Sequence, residues 1–334
     1  MKSPIPATAL LLASLLSTAP VGAEVMLYRG LCNASAAVAI GPRNFVVADD
    51  DLDVLSIYEY GKPDAILPGV DLIDYLGNRQ PDGKLKEADI EGAARVGNRI
   101  YWIASHARNT KGKVQEVRQR FFATEVVDTA AGPTVKALST PPYKGLLRDL
   151  LADPRFALLA EASALQTAPE DPGGLNIEGL AATREGQLLI GFRNPLPKGK
   201  ALLLPLRNPA EVIDKAAAPV FGDLIALDLG ERGIRSIEWV DSRFLIVAGP
   251  FDNGKGSGKG FALYTWTGRV ADSPQRIKQI DFGNMHPEAL FAATGDRTIH
   301  ILSDDGNAAC KKGDLPAARK TFRDLVLSLP DLVR

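Results

Sequence analysis

Apolar and polar residues alternate in short runs along most of this chain, and the runs come in pairs. The clearest pair is Asn176-Ile177-Glu178-Gly179-Leu180-Ala181-Ala182, a polar turn Thr183-Arg184-Glu185-Gly186, and then Gln187-Leu188-Leu189-Ile190-Gly191-Phe192-Arg193-Asn194. Two apolar stretches around a turn that carries glycine predict a β-hairpin. Asp89-Ile90-Glu91-Gly92-Ala93-Ala94-Arg95-Val96, Gly97-Asn98 and Arg99-Ile100-Tyr101-Trp102-Ile103-Ala104-Ser105-His106 repeat the pattern, and weaker copies begin at Asn33, Gly233 and His286. Further strand-like segments follow each hairpin. They are residues 54–58 and 65–67 in the first repeat, 120–126 and 134–138 in the second, and 201–206 and 224–229 in the third. The fourth has 261–266 and 275–282, and the fifth only 320–327.

Each repeat therefore predicts four strands, and the last is one short. Residues 25–29 form a strand with no hairpin partner beside it and supply the missing one. Four-stranded units around an axis make a β-propeller, and closing the last blade with a strand from the other terminus leaves no free sheet edge. The expectation is an all-β fold, a β-propeller of five four-stranded blades. The repeats are evenly spaced except between Asp89 and Asn176. There Leu146, Leu147, Leu150 and Leu151 recur at helical spacing, and Asp153-Pro154 offers a cap and a first-turn proline to a second piece carrying Phe156, Leu158 and Leu159. This predicts a helical insertion over about residues 143–168, packed on the outside of the sheets. A sixth, degenerate blade in the same interval is the rival.

Residues 1–23 begin with Lys2, run through an apolar segment and close with Val21-Gly22-Ala23, the pattern of a secretory signal peptide cleaved after Ala23. The segment is too short to span a bilayer, and no later run is apolar for long enough. Residues 24–334 are then read as one periplasmic or secreted domain. The balance of 39 basic against 40 acidic residues gives no support to nucleic-acid binding; the expected partner is a small-molecule ligand and the expected state a monomer. In an exported chain, Cys32 and Cys310 predict a disulfide. The two cysteines fall in loops on the same face of the propeller, beside the blade that residues 25–29 complete.

The same topology places a site. Inner strands begin on the face where second strands end, so the channel mouth should gather Ser35, Glu91, Glu178, Arg235 and Glu288. Around them come Asp49, Asp50, His106, Arg193, Asn194, Asp304 and Asp305. Three glutamates facing one axis repel unless something cationic sits among them. One reading is a hard divalent cation, calcium first, held by Glu91, Glu178 and Glu288. Arg193, Arg235 and His106 would then surround an anionic or carbonyl-bearing ligand, with His106 as general base and Asp49, Asp50, Asn194, Asp304 and Asp305 as binding residues. The other reading is an ion network in which Arg193 and Arg235 neutralise the glutamates. His300 lies mid-strand and reads as structural. The segment Gly254-Lys255-Gly256-Ser257-Gly258-Lys259-Gly260 fails as a phosphate loop: Asn253 stands where its first glycine should be, Gly260 where Ser or Thr is required, and a strand follows. It reads as a flexible loop on the site-bearing face.

Leu31-Cys32-Asn33-Ala34-Ser35-Ala36-Ala37, Glu87-Ala88-Asp89-Ile90-Glu91-Gly92-Ala93, Leu175-Asn176-Ile177-Glu178-Gly179-Leu180, Gly191-Phe192-Arg193-Asn194-Pro195 and Gly233-Ile234-Arg235-Ser236-Ile237-Glu238 together resemble the bacterial family catalogued as domain of unknown function 3616. That resemblance implies no reaction. The Glu-Gly opening of the blades is more loosely similar to calcium-dependent propeller enzymes of the phytase-like and lactonase-like kinds. This second similarity implies a channel-mouth site and a metal on Glu91, Glu178 and Glu288, while Arg235 and Ser35 interrupt a full acidic ring. Two functional classes follow, a calcium-dependent hydrolase of a phosphoester or lactone and a non-catalytic binding or scaffold protein of the envelope.

Overall fold

The computed structural model describes residues 24–252, 256, 258–293, 297–306, 310 and 315–332. The expected signal peptide lies outside these residues, as do residues 254, 255 and 257 of the glycine- and lysine-rich segment.

Five antiparallel sheets of four strands make five blades. The first holds β2 (Ala34–Ala39), β3 (Asn44–Asp49), β4 (Val54–Glu59) and β5 (Val70–Asp71); the second β6 (Ile90–Val96), β7 (Arg99–Ala104), β8 (Phe121–Thr129) and β9 (Gly132–Ala137). The third holds β10 (Asn176–Ala182), β11 (Leu188–Asn194), β12 (Ala201–Leu206) and β13 (Ile225–Leu227); the fourth β14 (Gly233–Val240), β15 (Arg243–Gly249), β16 (Ala262–Trp266) and β17 (Gln275–Ile277). The fifth holds β18 (Pro287–Ala292), β19 (Thr298–Ser303), β20 (Thr321–Ser328) and, outermost, the N-terminal β1 (Glu24–Arg29). Strands β1 and β20 pair from Glu24 opposite Val326 to Arg29 opposite Thr321, which closes the ring as the pattern predicts. Cys32 and Cys310 form a disulfide across the same seam, with their Cα atoms 6.4 Å apart.

No sixth blade forms. The long interval instead holds the helices Leu146–Ala152 and Ala157–Ala164. Leu146, Leu147, Leu150, Phe156 and Leu159 pack with Tyr101 and Phe121 of the second blade and Leu188 and Leu204 of the third, so these side chains are dry, whereas Leu158 and Leu165 stay exposed. Two details differ from the sequence reading. The fourth strand of the first blade is Val70–Asp71 and not residues 65–67, because Pro68 interrupts the run and only the Ile66 N–H reaches back, donating to the Ile57 carbonyl at 2.9 Å. A helix not anticipated, Pro209–Lys215, joins β12 to β13 and has proline in its first turn.

The inner strands β2, β6, β10, β14 and β18 neighbour one another in that order around the axis. Each breaks its register at the same place: between Ala34 and Ala36, Ile90 and Gly92, Ile177 and Gly179, Ile234 and Ser236, and Pro287 and Ala289. The residues left out of the ladder are Ser35, Glu91, Glu178, Arg235 and Glu288. A β-bulge re-aims the side chain it carries, and here it is built into every blade at the position nearest the mouth. The glycine after the bulge answers a close approach between blades. A Cβ on Gly92 would lie 2.9 Å from the Leu180 Cβ of the next blade, and one on Gly179 2.8 Å from the Ile234 Cγ2.

Candidate functional site

At the face where the inner strands begin lies a cavity of about 330 Å³. Its walls include Glu91, Glu178, Arg235 and Glu288 from the bulges, Asp50, Arg193 and Asp304 from the ends of second strands, and Asp51, Glu87, Asp89, Arg118 and Asn176. Residues far apart in the chain therefore share one polar chamber. Nine of the lining side chains are carboxylic acids and three are arginines, so the chamber is strongly acidic.

One side of the chamber is an ion network. Glu178 is 2% exposed, and its Oε1 accepts from Arg193 Nη1 at 2.8 Å and from Asn176 Nδ2 at 3.0 Å. Its Oε2 lies 2.9 Å from Arg235 Nε. Arg235 reaches across to the fifth blade and also pairs with Glu288. Burial pulls the Arg235 guanidinium toward neutrality, but Glu178, Glu288 and Glu91 outweigh it and hold its pKa above the ordinary value. Burial pushes Glu288 up to about 8 despite Arg235 beside it, with Asp304 and Glu178 adding to the rise.

The other side is a carboxylate cluster. Asp50, Asp89 and Glu91 bring one oxygen each within 4.8 Å of one another. Asp89 is held by Arg118, whose Nη1 donates at 2.8 Å. Glu91 makes no hydrogen bond or ion pair among the described residues, and Asp50 Oδ1 is buried without a hydrogen-bond partner. Burial raises the Glu91 pKa well above the carboxylate range, and Glu178, Asp89, Glu288 and Asp50 raise it further. Asp50 is raised in the same way, by burial first and then by Asp51, Asp89, Asp304 and Asp49. Asn176 Oδ1 and Arg235 Nη1, also in the walls, are buried without a hydrogen-bond partner.

Not every residue expected at the mouth reaches this chamber. His106, which stands in the left-handed backbone region at φ 54°, lines a separate small cavity with Arg108, Ala162 and Thr167, under the helical insertion. Its ring nitrogen Nδ1 lies 2.7 Å from the Ala104 carbonyl, and burial lowers its pKa to about 4. Asn194 uses its amide to donate to the carbonyls of Pro169 and Asp171, tying the loop after the insertion to the blade. Asp305 is paired with Arg323, whose Nε donates at 2.8 Å. Asp49 caps its own turn, accepting from the Asp51 N–H at 3.0 Å, and burial pushes it up to about 7. Conversely, the sequence reading passed over Asp89 and Arg118. The alternation Glu87, Asp89, Glu91 in one strand approach was the available signal for the first, since period two puts all three on one side.

Fold and site together define the class: a five-bladed β-propeller, closed by its N-terminal strand and a disulfide, with an acidic chamber where the inner strands begin. The chain belongs to the family described as protein of unknown function (DUF3616), whose model matches residues 128–297. No curated protein matches the sequence. Among solved structures, the PQQ-bound aldose sugar dehydrogenase of Streptomyces coelicolor is similar at 14% identity, over 93% of this chain and 99% of that one, with a TM-score of 0.43. A putative oxidoreductase (glucose dehydrogenase) of Thermus thermophilus is similar at 11% identity, over 92% and 100%, with a TM-score of 0.45. A streptogramin B lyase is similar at 9% identity, over 92% and 98%, with a TM-score of 0.34.

Proposed function

We propose that the acidic chamber binds a hard divalent cation, calcium first, and with it a small oxygen-rich ligand, sugar-like or anionic. The observation that carries this reading is the convergence of Asp50, Asp89 and Glu91, two of which have no cationic partner of their own. Uncompensated carboxylates at this separation are costly, and an all-oxygen donor set suits calcium. The cation site therefore moves from the expected Glu91, Glu178 and Glu288 to Asp50, Asp89 and Glu91, because Arg193 and Arg235 already neutralise the other two glutamates. The unpartnered Asn176 Oδ1 and Arg235 Nη1 offer one acceptor and one donor to the ligand. A bound cation would supply Lewis acidity for hydrolysis of a phosphoester or lactone.

The non-catalytic reading draws on a different observation. His106, the expected general base, opens into another cavity, and Arg193 and Arg235 are committed to Glu178 and Glu288. An envelope protein that captures a ligand without turning it over needs nothing more. Residence outside the cytosol is part of either reading and rests on the disulfide together with the residues 1–23 pattern; among the described residues no helix is long and apolar enough to cross a membrane.

The experiment is a calcium titration of the melting temperature, joined to elemental analysis and to assays with phosphomonoesters and lactones. Wild type should melt higher as calcium rises, by mass action, and Glu91→Gln or Asp50→Asn should flatten the response. A flat wild-type response with no bound metal would overturn the cation site. Calcium binding without turnover would favour the non-catalytic form.

A further inference from the structure

We infer a second ligand site on the opposite face of the propeller, in the seam between the closing blade and the first. It would take a small neutral molecule with a hydroxyl on a flat apolar body, a phenol in the simplest case. The seam opens into a cavity of about 420 Å³ lined by Met26, Tyr28, Arg43, Tyr60, His300 and Val326, among others. Ser303, at the other end of β19, pairs with Pro287 at the mouth, so the Thr298 end, which borders this cavity, faces away from the acidic chamber. A cavity of that size holds a small organic molecule.

The wall carries one chemically distinct group. His300 is 5% exposed, and its Nδ1 lies 2.7 Å from Oδ2 of Asp324, which is fully buried. Burial raises the Asp324 pKa, and His300 works against that rise. With Asp324 ionised and the imidazole neutral, Asp324 accepts from Nδ1 and Nε2 is left with a lone pair. Nε2 has no hydrogen-bond partner among the described residues. The ring itself is clamped, stacked 4.7 Å from Tyr60 and 5.0 Å from Phe291 at interplanar angles of 21° and 13°. His300 thus presents an oriented, rigid hydrogen-bond acceptor to a cavity with aromatic and aliphatic walls.

That chemistry selects the ligand. Nε2 requires a donor, which excludes molecules that only accept. At the rim Glu24 and Glu59 stand against Arg43 and Lys62, both paired with Glu59, so the charges balance and none is left to draw an ionic ligand. Tyr28, Tyr60 and Met26 favour a flat apolar body over a polyol. The site is thus complementary to a phenol and indifferent to the oxygen-rich ligand proposed for the mouth.

The test compares phenol with toluene, which has nearly the same shape and no hydroxyl. Binding to the full protein is followed by calorimetry and by the imidazole nitrogen resonances of His300. Phenol should bind about tenfold or more tighter than toluene, the effect of one buried hydrogen bond, and should shift the Nε2 resonance. In His300→Phe, which keeps a stacked ring, phenol should fall to the level of toluene. Equal binding of the two probes to wild type, no binding of either at millimolar concentration, or an unmoved Nε2 resonance would each overturn the site. These wild-type readings decide the matter even if the variant does not fold.

Discussion

Glu178 and Glu91 occupy the same position in neighbouring blades and do opposite things. Glu178 is one side of a buried network with Arg193, Arg235 and Asn176. Removing its charge takes the Glu178 ion pair from Arg193 and leaves Arg235 only Glu288 of its two glutamates, and breaking a buried pair of this kind costs about 3–5 kcal/mol. Glu178→Gln should therefore lower the urea midpoint of calcium-free protein by a correspondingly large amount. Glu91 has no such partner and is held well above the usual carboxylate range by burial and by its acidic neighbours. Glu91→Gln relieves that repulsion, so calcium-free stability should hold or rise while the calcium response disappears. If both variants lose equal stability, the division of the chamber into a paired side and an unpaired side is wrong. The adjoining glycine has its own signature. A methyl group on Gly179 meets Ile234 at 2.8 Å, and overpacking of this kind costs about 1–3 kcal/mol, so Gly179→Ala should destabilise measurably although alanine suits a strand better than glycine.

Among the elements, β1 has the largest reach. It completes the fifth blade, and its Tyr28 ring, 1% exposed, stacks 5.3 Å from Phe322 and sits edge-on to Phe45 at 5.3 Å and Tyr58 at 5.4 Å. Those contacts hold β1 against β20, where pairing of the chain's two ends closes the ring, and against the first blade, which the chain enters directly from β1. Tyr28→Ala should cost about 3–5 kcal/mol, as for other large aromatic truncations, read from denaturant unfolding. The disulfide reinforces the same closure. It links residues 278 apart in sequence, and in the chain-entropy account a loop of this length contributes on the order of 5–6 kcal/mol, less any strain. Replacing Cys32 and Cys310 by serine should lower the unfolding midpoint by about that much, and reduction of wild type should do the same. A variant as stable as the parent would mean that strand pairing alone holds the ring shut.

For the whole molecule, the acidic surplus of buried groups sets the pH dependence. Burial pushes Asp53 up to about 6, Asp49 to about 7, and Glu238 and Glu288 to about 8, while Asp50 and Glu91 are raised as well. These groups bind protons more tightly folded than unfolded. Their stabilisation is complete below the unfolded carboxylate value of about 4 and is lost as pH rises through the folded values. Calcium-free protein should therefore be more stable near pH 5 than near pH 8. The increment from calcium should grow over the same interval, because the cation takes the place of protons. Urea midpoints across that range, with and without calcium, check both statements. A calcium-free midpoint that rises with pH would contradict the assignment of these carboxyls as buried and underpaired.

The repeat of apolar hairpins by itself pointed to five blades, with six as the rival, and to the closing strand, while leucine spacing pointed to the helical insertion and the two cysteines of an exported chain to their pairing. Blades and closing strand follow from alternation and strand direction, which are properties of a segment and its immediate neighbours. Direction also told which residues belong at the mouth, so Glu91, Glu178, Arg235 and Glu288 could be gathered from positions far apart. What those residues meet was decided only in three dimensions. Arg235 crosses from the fourth blade to glutamates of the third and fifth, the chain turns at His106 and carries its ring under the insertion, and Asp50 joins Asp89 and Glu91 in the cluster. His300 looks like any strand residue until Asp324 and a seam between terminal blades surround it. Periodicity records which face of its own strand a side chain takes. The partner across the gap depends on how blades are rotated and bulged against one another, and that is settled by packing the whole ring at once.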